Sequence, residues 1–355
     1  AYEVGFLSVL LPEDSGGIGG DIGTLSVILE NICRADSSLG GIIFTNALSQ
    51  EIMLRLGAKE LAVEIHAKAS SAADALIAFP CFSNPAYLSM LPRARKSDKG
   101  YAVTGKVELV SLGGLAQRAI IPALIDDGKT PSPSSSPLRG EEKKGSSRQT
   151  GQNDLHDQAT YSFFLIDLST QGVEKSGPVF SLGMHACPSV DLTLTGARAE
   201  LLGVEGSGKA CFDKVSEKMH IAAAAMNSGI MRGSLNEAAA YAKERFQGGR
   251  EIINWSEVSM LLADMAVKAN VAEMCVAQAC LAAEQEGDGT GAYSLSAGIH
   301  IHELACELVN DGIQVLGGNG YMKDYGQEKR YRDARMIQAL LGRAPLKKLE
   351  LAGRL

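Results

Sequence analysis

The chain reads as an α+β protein built in the order helices, β module, helices. Three observations carry that reading. A helical period runs through residues 23–70, a period close to two runs through 75–202, and the helical period returns in long segments from 203 onward. With 355 residues, 45% of them hydrophobic and 21% charged, the chain can bury a substantial core, and the three regimes give domains at 1–74, 75–202 and 203–355.

In the first regime, GTLSVILENICRADSSLGGIIFTNALSQEIMLRLGAKELAVEIHAKAS places apolar residues at i, i+3, i+4 spacing, broken at glycines. The expectation is helix, turn, helix, helix: an N-terminal helical domain. The second regime holds YAVTGKVELVS, RAIIPALID, YSFFLIDL and SVDLTLTGARAELL, short β-rich runs punctuated by Gly and Pro. These predict a middle antiparallel β domain, a sheet or barrel-like module. Inside it, residues 128–158 hold almost no large apolar side chain and cannot offset their ordering entropy, so a disordered insertion between two strands is expected there. The third regime contains long helical patterns separated by short Gly-containing connections, the sequence form of an antiparallel C-terminal four-helix bundle.

Charge and cysteine usage exclude several classes. A net charge of −7 without clustered Lys and Arg argues against nucleic acid or an anionic membrane surface as partner. No apolar run reaches the roughly 18 residues of a membrane span, and no basic-then-apolar leader pattern opens the chain. The seven cysteines have no CxxC spacing and read as buried, reduced thiols of a cytoplasmic protein. His300 and His302 lie two apart in a helical pattern and so point to different faces, which argues against a metal pair.

The densest local signal is IQVLGGNGYMKDYGQEKRYRDAR, residues 313–335, where Gly317, Gly318 and Gly320 permit a tight turn and close approach. Arg332 and Asp333 read as an ion pair within it. Directly after it, DARMIQALLGRAPLKKLE carries four basic side chains and no carboxylate between Asp333 and Glu350.

These motifs resemble the acyl-CoA dehydrogenase family. Its QxxGGxGY stands here as Gln314, Gly317, Gly318, Gly320 and Tyr321, followed by Glu328, Arg332, Asp333 and Ala334 of its ER-x-x-RDA segment. LPEDSGGIGG, FSLGMHACPSVDLTL and AAAYAKERFQGG match three further family segments, so the likeness spans nearly the whole chain. The family pattern begins one or two helices earlier, which implies an N-terminal domain truncated at its first helices. The resemblance implies FAD, an acyl-CoA thioester substrate, subunits assembled in dimers or dimers of dimers, and electron-transfer flavoprotein as a common acceptor. It also implies α,β-desaturation, in which a carboxylate in a dry pocket removes the α-proton while a hydride leaves for the flavin.

The resemblance then fails at its catalytic positions. The family's base sits in an EGT triplet after RDA, where this chain reads Leu341, Gly342, Arg343. A subset of the family carries the base on the first bundle helix beside an Arg, where this chain has Met219 and His220. Glu217 is two residues away, on another helical face, and is the remaining substitute. The flavin-contacting TEP-x-AGSD segment corresponds to Ala78–Pro85, and the WIT segment to Leu109, Val110 and Ser111, of which Ser111 alone keeps a hydroxyl. In contrast, Arg245, Gln314, Gly317 and Gly318, which in this family hold the pyrophosphate and adenosine end of a neighbour's FAD across a subunit interface, are all present; the Phe of R-x-x-FG is Gly248. The resemblance therefore implies a subunit without its own base that shares FAD with a homologous catalytic subunit. The alternatives are a flavin-free structural subunit and a self-sufficient enzyme with a displaced base such as Glu217.

Overall fold

Asp21 starts the first helix by accepting a hydrogen bond from Thr24 N at 2.8 Å, so that α1 runs Ile22–Ala35. Asp36 ends it and caps the next, accepting from Ser38 N at 2.9 Å at the head of α2, Ser37–Arg55. The computed structural model describes residues 1–82, 90–98, 100–126, 160–285 and 290–354. Helix α2 is buried along most of its length, and its polar side chains are used internally. Asn46 Nδ2 and Gln50 Nε2 both donate to Leu7 O, at 2.7 and 2.8 Å, while Asn46 Oδ1 accepts from Ile77 N at 2.9 Å, tying the opening segment and the first strand to one helix. Helix α3, Lys59–Ala67, and a single turn α4, Ala72–Ala75, complete this layer.

Among the described residues seven strands follow: β1 Ile77–Pro80, β2 Arg93–Ser97, β3 Gly100–Ser111, β4 Arg118–Ile125, β5 Tyr161–Asp167, β6 Val173–Lys175 and β7 Ser189–Leu202. They form one sheet in the order β1-β3-β2-β4-β5-β7-β6, and the further pairing of β3 with β7 closes it into a barrel-like module. The expected antiparallel character holds for most pairs, but β4 runs parallel to both β1 and β2 over short registers. The alternating burial of β3 and β7 reflects the period-two pattern read in the sequence. The expected insertion at 128–158 lies outside the described residues.

The bundle consists of α5, Gly208–Glu244; α6, Ser256–Glu284; α7, Thr290–Leu316; and a shorter α8, Gln327–Gln338. A last helix, α9, spans Ala344–Ala352. Helix α8 also fastens the β module to the bundle. Buried Asp333 accepts from Met184 N at 2.6 Å, and Arg332 Nη1 donates to Leu182 O at 3.2 Å. Arg332 and Asp333 do not pair with each other. Adjacent helical residues point apart, so Arg332 pairs with Glu328 at 2.8 Å and Asp333 with Lys329 at 2.7 Å, each at i,i+4 spacing.

The cysteines are free; Cys81 is exposed and Cys275 half-buried, against the expectation that all are buried. Their scatter across three layers, with Cys81 just past the end of β1, explains the difference. His302 is buried and His300 exposed, on opposite faces of α7.

Candidate functional site

Arg245 and the glycine turn of 317–320 lie at one end of the bundle. Arg245 follows the last turn of α5, its N–H donating to Tyr241 O and its carbonyl accepting from Ile252 N at 2.8 Å. Asn319 Nδ2 donates to Tyr241 Oη at 2.9 Å, which brings the turn after α7 alongside the end of α5. Among the described residues, the exposed Arg245 guanidinium has only a 3.5 Å contact to Gln247 Oε1, and exposed Gln314 has no hydrogen-bond partner. Gly248 and Gly249 turn a two-residue hairpin at φ +68° and +90°, a geometry that disfavours the phenylalanine the family places at 248.

The glycines of 317–320 have separable reasons. Gly317 adopts φ +57°, and a Cβ on Gly320 would meet Ile313 O at 2.5 Å. Gly318 has neither a left-handed φ nor any atom within 4 Å of an added Cβ. Nothing among the described residues asks for glycine there.

The half that would hold a flavin ring within the chain is built differently. Leu109 sits at φ +53°, is 42% exposed, and donates its N–H to Asp191 Oδ1 at 3.0 Å. Ser111 Oγ is engaged with Ser189 Oγ at 3.2 Å. Ala78, Phe79 and Pro80 are buried in β1, with Ala78 at the family's threonine, and Phe79 and Phe82 join an aromatic cluster with Tyr161, Phe163 and Phe212. Positions 83–85 of the same segment lie outside the described residues. The exposed Arg245 guanidinium has the chemistry to meet phosphate oxygens, whereas the described residues at the family's ring-facing positions do not reproduce its hydroxyl donors.

The base position after α8 holds an apolar residue and a cation. Leu341 is half-buried at φ +57°, and Gly342 follows at +112°. From α9, buried Lys347 reaches back so that Nζ donates to Leu340 O at 2.7 Å and Gln338 O at 3.3 Å, satisfying carbonyls left open at the end of α8. Burial pulls its amine down to about 8. This residue was not singled out from the sequence, although the inward row Ala344, Lys347, Leu351 has helical spacing.

The alternative base position is also empty of acid. Met219 and His220 are both buried, and His220 Nδ1 has no partner. Burial, then the charges of Lys347 and Arg354, push its imidazole down to about 3, so it is neutral at physiological pH. Glu217 is held by Lys214 at 3.1 Å and Arg354 at 2.9 Å, away from Met219. Three carboxylates share a cavity of about 340 Å³ with Met219: Asp21, Glu284 and Glu51 of α2, the last paired with Lys218 at 3.0 Å. Nothing in the local sequence of Glu51 marks it, because the contact joins residues far apart in the chain. Among the described residues no His, Cys, Asp and Glu group could hold a metal, and no helix is long and apolar enough to cross a membrane.

Comparison with known proteins agrees with this architecture. The acyl-CoA dehydrogenase N-terminal domain matches residues 1–71 and the acyl-CoA dehydrogenase C-terminal domain matches 210–354. The chain belongs to the acyl-CoA dehydrogenase family, whose members are FAD-dependent. It is 27% identical over 360 residues to 3-(aryl)acrylate reductase of Clostridium sporogenes, covering 99% of this chain and 87% of that protein. It is 25% identical over 360 residues to the caffeyl-CoA reductase-Etf complex subunit CarC of Acetobacterium woodii, with the same coverage. The fold superimposes on butyryl-CoA dehydrogenase from Megasphaera elsdenii with a TM-score of 0.80 at 21% identity, covering 99% of this chain and 87% of that one.

Proposed function

We propose that this chain is the non-catalytic partner in a heteromeric FAD-dependent acyl-CoA dehydrogenase. In this reading it completes the phosphate and adenosine end of an FAD held mainly by a homologous subunit, which also supplies the base. The observation that carries the reading is the division of the site. Arg245, Gln314 and Gly318 are exposed with almost no use inside the chain, while both base positions are filled by Leu341 and Met219. A guanidinium fork suits phosphate oxygens. When bound, FAD accepts the hydride in the family's reaction; this chain would bind and orient its far end. Electron-transfer flavoprotein is the proposed acceptor, supported by the relative described as part of a reductase-Etf complex. The cytoplasm is the proposed location.

Against the self-sufficient alternative, with a displaced base such as Glu217, stands the pairing of Glu217 with two cations. The test is the visible spectrum of the chain purified alone and with its partner. Flavin absorbance confined to the pair, bleached there by acyl-CoA, supports the proposal. Flavin bound and bleached in the isolated chain refutes it.

A further inference from the structure

The core between α5 and α7 holds polar atoms that have no hydrogen-bond partner among the described residues. They are Nδ1 of His220 and Oδ1 of Asn227 on α5, and Nε2 of His302 on α7. The three residues are 3%, 0% and 2% exposed. A stable core seldom leaves even one such atom unpaired, because its lost hydration is not replaced. Their positions follow from the register of the two helices, which run in the same direction. Ser294 Oγ donates to Glu217 O, and further along both helices Asn227 Nδ2 lies 2.7 Å from His302 Nδ1. Between these contacts sits Gly298, one turn before His302. A Cβ placed on Gly298 would stand 3.7 Å from His220 Cβ and 3.9 Å from His220 Nδ1. Helical side chains lean over the turn that precedes them, so His302 leans towards Gly298 and Asn227 towards the level of His220. The unpaired atoms thus turn towards the space that Gly298 leaves beside the His220 ring.

The donors and acceptors specify the ligand. With Asn227 Nδ2 donating, His302 Nδ1 accepts and carries its proton on Nε2. The space then meets a donor at His302 Nε2 and an acceptor at Asn227 Oδ1, while His220 Nδ1 takes either role with its tautomer. Burial, then the charge of Lys347, lowers both imidazoles, so each ring is neutral at physiological pH. Lys347 itself is committed to Leu340 O and Gln338 O. A mixed set of neutral donors and acceptors suits neither an anion nor a metal ion, and no His, Cys, Asp and Glu group among the described residues could hold a metal. We infer that one ordered water molecule is bound between α5 and α7, joining His302 Nε2 to His220 Nδ1 and Asn227 Oδ1. His220 directly follows Met219, so this water ties the part of α5 that carries the alternative base position to α7. The inference does not depend on which subunit holds flavin.

The test is a crystal structure of the protein purified through this chain, at a resolution that shows ordered water, with a second crystal held under xenon. The expected result is one water peak at about 2.7–3.2 Å from His302 Nε2, His220 Nδ1 and Asn227 Oδ1, and no xenon there. Xenon in the space, no water peak, or an anomalous metal signal overturns the inference. Gly298→Ala gives a second readout. Its methyl group would stand 3.6 Å from His220 O, an ordinary contact, and alanine is the better helix former, so in a dry gap the substitution raises the melting temperature. Where it displaces the water it strands the polar atoms, and a fall of several degrees is expected. A melting temperature that is unchanged or raised overturns the inference as well. Neither readout involves flavin, so failure here is distinguishable from failure of the cofactor-sharing proposal.

Discussion

Replacing Arg245 with alanine separates a contact lent to a neighbour from one used at home. The guanidinium is exposed, and 3.5 Å to Gln247 Oε1 is too long for that contact to contribute much, so fold stability is expected to change by less than about 0.5 kcal/mol. Against a phosphate oxygen the same group makes a charge-assisted bond worth about 1.5–3 kcal/mol. At about 1.4 kcal/mol per decade, FAD should dissociate from the assembled complex roughly ten- to a hundredfold more readily. The assay is release of FAD followed by its fluorescence, alongside a melting curve. Arg330→Ala is the control, because that guanidinium is 17% exposed, is paired with Glu237 at 2.5 Å and should cost stability instead. Unchanged FAD retention in Arg245→Ala, or a drop of several degrees in its melting temperature, refutes the reasoning.

Three further outcomes follow from the same geometry. Gly318→Ala should leave thermal stability intact while weakening FAD retention in the complex, whereas Gly320→Ala, with 2.5 Å to Ile313 O, should destabilise the fold; melting and FAD titration of both variants check this. Lys347 is held near 8 against its ordinary 10.5, so the unfolded chain binds more protons between those values and stability should rise with pH across about 8–10.5, by on the order of 3 kcal/mol, in denaturant titrations of the wild type but not of Lys347→Met. His220, pulled to about 3 from 6.5, has the same sign: stability should rise as pH climbs through that window, on the order of 5 kcal/mol, and His220→Leu should flatten that acid limb.

The strands Gly100–Ser111 and Ser189–Leu202 were legible because their alternation reports one buried face, and Arg118–Ile125 and Tyr161–Asp167 because they are short, β-rich apolar runs buried on both faces. The parallel neighbours of β4 were not, since alternation says nothing about which strand lies alongside or in which direction. The i,i+4 pairs Glu328–Arg332 and Lys329–Asp333 follow from helical spacing alone, and expecting adjacent residues to pair overlooked it. For the site, motif spacing pointed to the expected base positions at Leu341 and Met219 and to the Arg245, Gln314, Gly317, Gly318 set. It could not show that Lys347 turns inward to cap α8, because a lysine in a Lys-Lys pair ordinarily lies on the surface. Nor could it show Glu51 beside Met219 or the buried contact of Asn227 with His302 at 2.7 Å, which join distant segments.

The central claim, a lending subunit without its own base, is met most directly by counting subunits and FAD together in native mass spectra of the complex purified through this chain. A second, homologous subunit with one FAD per pair is the predicted result. A homo-oligomer carrying one FAD per chain would contradict it.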